Sequence, residues 1–324
     1  MSVPLKPLRE ATPPPAAVVR LASPRGFCAG VDRAIRTVEE ALAAFGAPVF
    51  VRHKIVHNAH VVSRLKAMGA VFIEDLSEVD AERPLIISAH GAPRSAYDEA
   101  NSRALLMIDA TCPLVLKVHN EVRRHIAHGR HVILIGHGGH PEVIGTMGQA
   151  TRGTVTLVET VEDAAAFSPP DGPLAYATQT TLSIDDAAAI VEILKRRFPA
   201  IAGPRRSDIC YATQNRQEAV KLISPGADVV FVVGSPQSSN SKRLVEAALG
   251  AGAARALLVD DPALLDLSAF DDARIIGVTS GASAPEHLVE NLLRRLADRR
   301  AMRVETVDHI REDVVFKQPM LMAS

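Results

Sequence analysis

The chain has 324 residues, 47% of them apolar and 23% charged, with 36 basic against 37 acidic side chains and a formal net charge of −1. This is the composition of a folded globular chain of about two domains at roughly 150 residues each, which excludes disorder as the dominant state. A balance so near neutral supplies no global field to hold a nucleic acid or an anionic membrane, and no apolar run approaches the roughly 18 residues of a membrane helix.

Residues 1–17 hold five prolines in their first fifteen positions and no apolar stretch of signal-peptide type, so they read as a flexible leader, and a cytoplasmic protein is expected. Val18 to Ala22 reads as a strand that ends in SPRGFCAG, with a helix from about Val31 to Ala44. The polar loops KIVHN, with His57, and SAHG, with His90, follow. Leu105 to Ala110 reads as a second strand ending in ATCP, and Pro113 opens a helix that runs to about His128, proline being tolerated in a first turn. GHGGHPEV, with His140 and Glu142, and QTTLS, with Thr180, come next. Asp208 to Tyr211 is taken as the third such strand, leading through DICYATQNRQ into a helix ending near Leu222. GSPQSSNS, with Ser238, Ser239 and Asn240, and GASAP, with Ser283, complete the series.

The three cysteines each precede a helix, and the loops after them recur. His57 lies 29 residues after Cys28, His140 lies 28 after Cys112, and Ser238 lies 28 after Cys210. A second polar loop follows each at 62, 68 and 73 residues, carrying His90, Thr180 and Ser283. Strand-like runs alternating with helical patterns indicate α/β architecture with largely parallel sheets, and the recurrence indicates three similar modules. The expected organisation is module one over residues 18–110, module two over 111–208 and module three over 209–300, with a tail, 301–324, packing back on an earlier module. Open α/β sheets place ligands beyond the carboxyl ends of their strands. A trilobal, pseudo-threefold arrangement would therefore bring the three cysteines to one centre.

Three cysteines are an odd number and too sparse for a disulfide framework. Thiols converging from helix N-termini make a soft site, suited to zinc or to an iron–sulfur cluster. A Cys₃His zinc site, with His137 and His140 as the local pair, is one reading. Structural zinc generally draws its ligands from closely spaced pairs, whereas these cysteines are 84 and 98 residues apart, so a larger cluster fed by one ligand per module is the other. A [4Fe–4S] cluster with only three thiolates leaves one iron open to a substrate oxygen. His57, His90, Ser238, Ser239, Asn240 and Ser283 offer hydrogen-bond donors for an anion such as a diphosphate. Glu142 is the carboxylate placed to give or relay a proton.

PRGFCAGV, VHN, SAHG, DATCPLVLKVH, GHPEVIGTMGQ, QTTLS, DICYATQNRQ, GSPQSSNSKRL and GVTSGASAPE together resemble the 4-hydroxy-3-methylbut-2-enyl diphosphate reductase family, which carries out the last step of the methylerythritol phosphate route to isoprenoids. The likeness runs from about Val18 to Phe316. It implies one oxygen-sensitive [4Fe–4S] cluster on Cys28, Cys112 and Cys210. It implies a substrate diphosphate held by His57, His90, His140, Ser238, Ser239, Asn240 and Ser283, and Glu142 and Thr180 attending the reacting alcohol, so that Glu142, Thr180 and His140 are the expected catalytic residues. The implied reaction is reductive dehydroxylation to isopentenyl and dimethylallyl diphosphate, with the substrate oxygen on the open iron and electrons from ferredoxin or flavodoxin. Gln237 stands where the family commonly has Asn. A zinc-dependent hydrolase and a non-catalytic iron–sulfur redox sensor are the competing classes.

Overall fold

The computed structural model describes residues 17–321; the proline-rich leader, Ala17 apart, lies outside them. In chain order the elements are β1 (Ala17–Ser23), α1 (Ala29–Phe45), β2 (Val49–Arg52), α2 (Ala59–Ala67), β3 (Ala70–Ile73), β4 (Leu85–Ile87), α3 (Arg94–Ser102), β5 (Met107–Asp109) and α4 (Pro113–Ala127). Then come β6 (His131–Ile135), α5 (Pro141–Met147), β7 (Val155–Val158), α6 (Val161–Ala166), β8 (Leu174–Thr178), α7 (Ile184–Arg197) and α8 (Tyr211–Ile223). The last are β9 (Val229–Val233), α9 (Ser239–Gly250), β10 (Ala256–Val259), β11 (Ile275–Ser280), α10 (Glu286–Arg299) and β12 (Met302–Asp308).

The strands form three parallel sheets, ordered β3-β2-β4-β5, β7-β6-β8 and β10-β9-β11-β1-β12. Their strands are short, continuous apolar runs, because both faces of a parallel sheet are covered by helices. In β9, Val229, Phe231 and Val233 enter one core with Leu288, Leu292 and Leu296 of α10, while Val230 and Val232 enter another with Val220 of α8 and Leu244 of α9. The same period-two division recurs twice. Val49 and Val51 of β2 pack with α1 and α2, and Phe50 with α3. Val132 and Leu134 of β6 pack with α4 and α5, and Ile133 and Ile135 with α7. Every lobe thus has the helix after a cysteine and its successor on one face, and the later helices on the other: α3 in the first lobe, α6 and α7 in the second and α10 in the third. The molecule is a trilobal α/β protein.

Two features depart from the sequence reading. First, β1, expected at the head of module one, belongs to the third sheet, with Val18 opposite Ile275 and, on its other side, Arg303. It holds there the position that β5 holds beside β4 in the first sheet, next to the strand that precedes the lobe's second polar loop. In the second lobe a single bridge from Ala202 to Ala175 of β8 fills that position. The strands leading into Cys28 and Cys112, and the bridged Ala202 before Cys210, therefore each join the sheet of the preceding lobe, and β1 closes the ring. Second, Asp208 to Tyr211 is not a strand. The buried Asp208 carboxylate accepts from the Thr178 N–H at 3.1 Å and from Lys117 Nζ at 3.0 Å, so a side chain anchors this segment where a ladder would have.

Beyond β12 the tail runs back to α1, where the Lys317 carbonyl accepts from Arg33 Nε at 2.8 Å and Leu321 packs against the core under α1 and α2. Among the described residues no helix is long and apolar enough to cross a membrane.

Candidate active site

Cys28, Cys112 and Cys210 are the N-cap residues of α1, α4 and α8. They are free thiols and meet in one cavity with about 690 Å³ of empty space, part of it open to solvent. Gly30 shows how closely two of them approach: a Cβ built there would stand 2.6 Å from Cys112 Sγ and 3.8 Å from Cys28 Sγ. Burial, reinforced by the neighbouring Cys28 sulfur, pushes the Cys112 thiol up to about 12 and the Cys210 thiol up to about 11. Such thiols stay protonated unless a cation draws the proton off, as metal or cluster binding does. The Thr213 N–H, in the first turn of α8, lies 3.4 Å from Cys210 Sγ and its hydroxyl 3.2 Å; Thr213 lines the cavity too and was not singled out from the sequence, where only its place three residues after a cysteine cap could have marked it.

The Cys₃His zinc reading does not survive this geometry. His137 lines a separate cavity with Glu159 and Asp186. Among the described residues no three His, Cys, Asp or Glu side chains stand at the spacing one metal ion requires. Three thiols spread around a common cavity fit a multi-atom cluster instead, and the bare Gly30 between two of them leaves the room that a side chain would fill.

The polar loops converge above the thiols because each ends a strand and caps a helix. His140 is the N-cap of α5, with Pro141 at the first helical position, and its Nδ1 accepts from the Glu142 N–H at 3.2 Å. Ser238 caps α9 by accepting from the Ser241 N–H, and Asn58, next to His57, caps α2 by accepting from the Val61 N–H. The rings of His57, His90 and His140 gather with centroids 4.3, 5.2 and 5.7 Å apart. Burial, assisted by Lys54 and His53 at His57 and by neighbouring histidines at the other two, pulls His57 down to about 4, His140 to about 3 and His90 well below its ordinary value, so all three are neutral in the ligand-free protein at pH 7. Both ring nitrogens of His57, Nδ1 of His90 and both amide atoms of Asn240 are buried without a hydrogen-bond partner. Buried polar groups are rarely left so, and their shared cavity marks the place for a polar ligand. Ser239 and Ser283 complete that wall, donating to the Thr181 and His57 carbonyls at 3.0 and 3.2 Å.

Glu142 is 2% exposed. One carboxylate oxygen accepts from the Thr180 N–H at 2.6 Å and the other from the Thr180 hydroxyl at 2.9 Å. Burial outweighs these bonds and raises Glu142 to about 7, where it can both hold and release a proton near neutral pH. The three cysteines and the nine polar residues named for substrate and proton handling all line this one cavity; His137 alone of the candidate ligands lies outside it. Its apolar lining, including Val31, Val56, Leu114 and Val115, carried no sequence signal, since Val and Leu near a helix start are ordinary core residues. Outside it, a second chamber shares His57 and His140 and adds Lys54 and Lys242. Lys54 Nζ donates to Gln237 Oε1 at 2.6 Å, which ties the GSPQSSNS loop of the third lobe to the first.

A family model described as LytB protein matches residues 19–297. The 4-hydroxy-3-methylbut-2-enyl diphosphate reductase of Hyphomonas neptunium is 57% identical over 313 residues, 96% of this chain and 99% of that protein. The solved E-1-hydroxy-2-methyl-but-2-enyl-4-diphosphate reductase of Plasmodium falciparum superposes with a TM-score of 0.90 at 41% identity, covering 94% of this chain and 96% of that one. A second solved structure, of (E)-4-hydroxy-3-methyl-but-2-enyl diphosphate reductase, the terminal enzyme of the non-mevalonate pathway, gives 0.62 at 30% identity over 87% of this chain and 99% of its own. Three cysteine-capped helices around a histidine-lined pocket thus stand in a chain that belongs to the LytB family of 4-hydroxy-3-methylbut-2-enyl diphosphate reductases.

Proposed function

We propose that the chain reduces 4-hydroxy-3-methylbut-2-enyl diphosphate, replacing its allylic hydroxyl by hydrogen with two electrons and two protons, and releasing water with isopentenyl or dimethylallyl diphosphate. The observation that carries this reading is the set of unpartnered buried polar atoms on His57, His90 and Asn240, which share a cavity with three thiols and the buried Glu142. Cys28, Cys112 and Cys210 would hold a [4Fe–4S] cluster, which when bound supplies single electrons and Lewis acidity at the iron without a protein thiolate. Ferredoxin or flavodoxin would deliver the electrons.

The chain's own residues bind, orient and protonate. His57, His90 and His140, with Ser238, Ser239, Asn240 and Ser283, receive the diphosphate. Neutral imidazoles there become better donors as the anion draws protons onto them, so charge is matched on binding without a standing repulsion in the empty pocket. Thr180 and Glu142 face the hydroxyl end; Glu142, poised near 7, holds the proton that converts the departing hydroxyl to water. The apolar walls formed by Val31, Val56, Leu114 and Val115 suit the five-carbon chain and keep bulk water from the reacting carbons.

Anaerobic purification followed by metal analysis and turnover tests this. About four iron and four sulfide per chain, with reduction of the allylic diphosphate by a chemical or flavodoxin donor, are expected. Zinc in place of iron, or a cluster without turnover, would overturn the proposal in favour of a hydrolase or a sensor.

A further inference from the structure

Three basic side chains outside the pocket repeat with the lobes. Arg33 stands on α1 five residues after Cys28, Lys117 on α4 five after Cys112, and Arg216 on α8 six after Cys210. None holds its own cysteine; each reaches from the helix after one cysteine to the loop that presents the next. Arg33 donates to the Thr111 carbonyl at 3.1 Å and the Asp109 carbonyl at 3.4 Å, immediately before Cys112. Lys117 donates to the Arg206 and Ser207 carbonyls and to Asp208 Oδ1, all at 3.0 Å, immediately before Cys210. Arg216 donates to the Gly26 carbonyl at 2.9 and 3.2 Å and to the Phe27 carbonyl at 3.5 Å, immediately before Cys28. The cycle closes on itself.

We infer that Arg33, Lys117 and Arg216 are positioning residues that fix, in cyclic order, the loops presenting Cys112, Cys210 and Cys28 to the common centre. These are charge-assisted bonds to backbone carbonyls, the stronger class of hydrogen bond. Arg33 and Arg216 are 8% and 1% exposed, so their bonds are shielded from water. Both also hold the C-terminal tail: Arg33 through the Lys317 carbonyl and Arg216 through a bidentate pair with Glu312 at 3.0 and 3.2 Å. Lys117, the third member, has the Asp208 carboxylate in place of the tail. Each cysteine loop leaves the edge of one sheet, and these bonds tie it to the helix that follows the preceding cysteine and packs on that same sheet.

The inference rests on the three-thiolate reading of the centre, which metal analysis of the wild-type protein tests separately. Its own test is the order in which the cysteines become accessible. The anaerobic, loaded full chain is treated with an iron chelator in the presence of iodoacetamide, and the alkylated cysteine is identified by peptide mass spectrometry. Arg33→Met is expected to speed alkylation of Cys112, Lys117→Met that of Cys210, and Arg216→Met that of Cys28, each on the order of tenfold over the other two. Lys117→Arg, which keeps the charge and the donors, should retain most of the protection. Lys221→Met, whose lysine pairs with Asp185 and Glu218 instead, should leave the wild-type order unchanged. Should Arg216→Met not fold, Arg216→Lys, which keeps the charge and loses the planar fork, should still expose Cys28 first. Uniform acceleration at all three cysteines, the wild-type order in a folded variant, or selective release of the cysteine on the variant's own helix would each overturn the inference.

Discussion

Glu142→Gln separates proton delivery from folding, because burial makes the native carboxyl unfavourable when charged. The folded protein holds Glu142 at about 7 against 4.5 for an ordinary glutamate. Below 4.5 both folded and unfolded chains carry the proton and the group contributes no difference. Between 4.5 and about 7 the unfolded chain ionises while the folded chain stays protonated, so stability falls as pH rises, by about 1.4 kcal/mol per pH unit. Above about 7 the loss levels off near 3 kcal/mol. Glutamine does not titrate and escapes this loss, although it gives up one of the two acceptor positions now used by Thr180, at about 1 kcal/mol. The variant is therefore expected to match or fall slightly below wild type at pH 5 and to exceed it by about 2 kcal/mol at pH 8. Paired denaturant titrations across that range, done anaerobically on loaded protein, read the difference directly. Turnover moves the other way, falling on the order of 10²–10⁴-fold, with iron content unchanged. Wild-type turnover should decline above about pH 7 as the proton is lost, and the variant's residual rate should lack that decline. A pH-independent stability difference, loss of the cluster, or turnover near the wild-type rate would each refute the assignment.

Gly30→Ala should retain helix α1, where alanine is the better helix former, yet lose most of its iron, because the new methyl would stand 2.6 Å from Cys112 Sγ; full iron content per chain would show that the thiol can move aside. Inorganic diphosphate binding at pH 7, followed by calorimetry in two buffers of different ionisation enthalpy, should show net proton uptake and should tighten as pH falls, since His57 and His140 start near 4 and 3 and an anion raises both; zero proton exchange would mean that the rings bind neutral. Lys54→Ala and Lys242→Ala, in the outer chamber, should lower kcat/KM a few-fold at low salt and little at high salt, with kcat preserved, as expected of steering charges; a loss that ignores ionic strength would place them in the inner site.

The candidate site was legible because its residues break the local pattern. Histidine, serine and cysteine at the ends of apolar strands serve no core, and their repeated offsets from Cys28, Cys112 and Cys210 gave each an equivalent in another lobe. Cap chemistry then placed them correctly: Cys112 before Pro113, His140 before Pro141 and Ser238 before α9 are all helix starts. What stayed hidden depends on distant contacts. The pairing of Val18 with Ile275 joins segments 257 residues apart, and β1 reads as the start of the lobe that follows it in sequence. Asp208 to Tyr211 has the apolar centre of a strand, but the burial of Asp208 against Thr178 and Lys117 sets its conformation. The elevated pKa of Glu142 comes from its burial inside the folded site, which outweighs the lowering effect of the Thr180 bonds, and burial is set by tertiary packing rather than by its neighbours in the chain. Lys54 and Lys242 lie within the quoted motifs KIVHN and GSPQSSNSKRL, but nothing in their spacing marked them as facing the site.

The placement of β1 explains why three weakly similar segments build one site. Were each lobe a closed unit ending before its own cysteine, the thiols would sit at independent surfaces whose separation could drift. Instead the segment before each cysteine is tied into one sheet, by a strand before Cys28 and Cys112 and by a single bridge before Cys210, and the helix after it packs on the next, as with β5 against β4 and α4 against β6. Every cysteine is thereby a hinge point shared by two lobes, and moving one lobe moves two of the three thiols. The third sheet must take in both β1 and β12 to complete this ring, bringing residues from the two ends of the described chain side by side, with Ala17 opposite Met302. From there the tail continues to Glu312 and Lys317, the partners of Arg216 and Arg33. Chain closure and cysteine placement are in this way one structural event, and the cavity that gathers a cysteine from every lobe is complete only when the ring is.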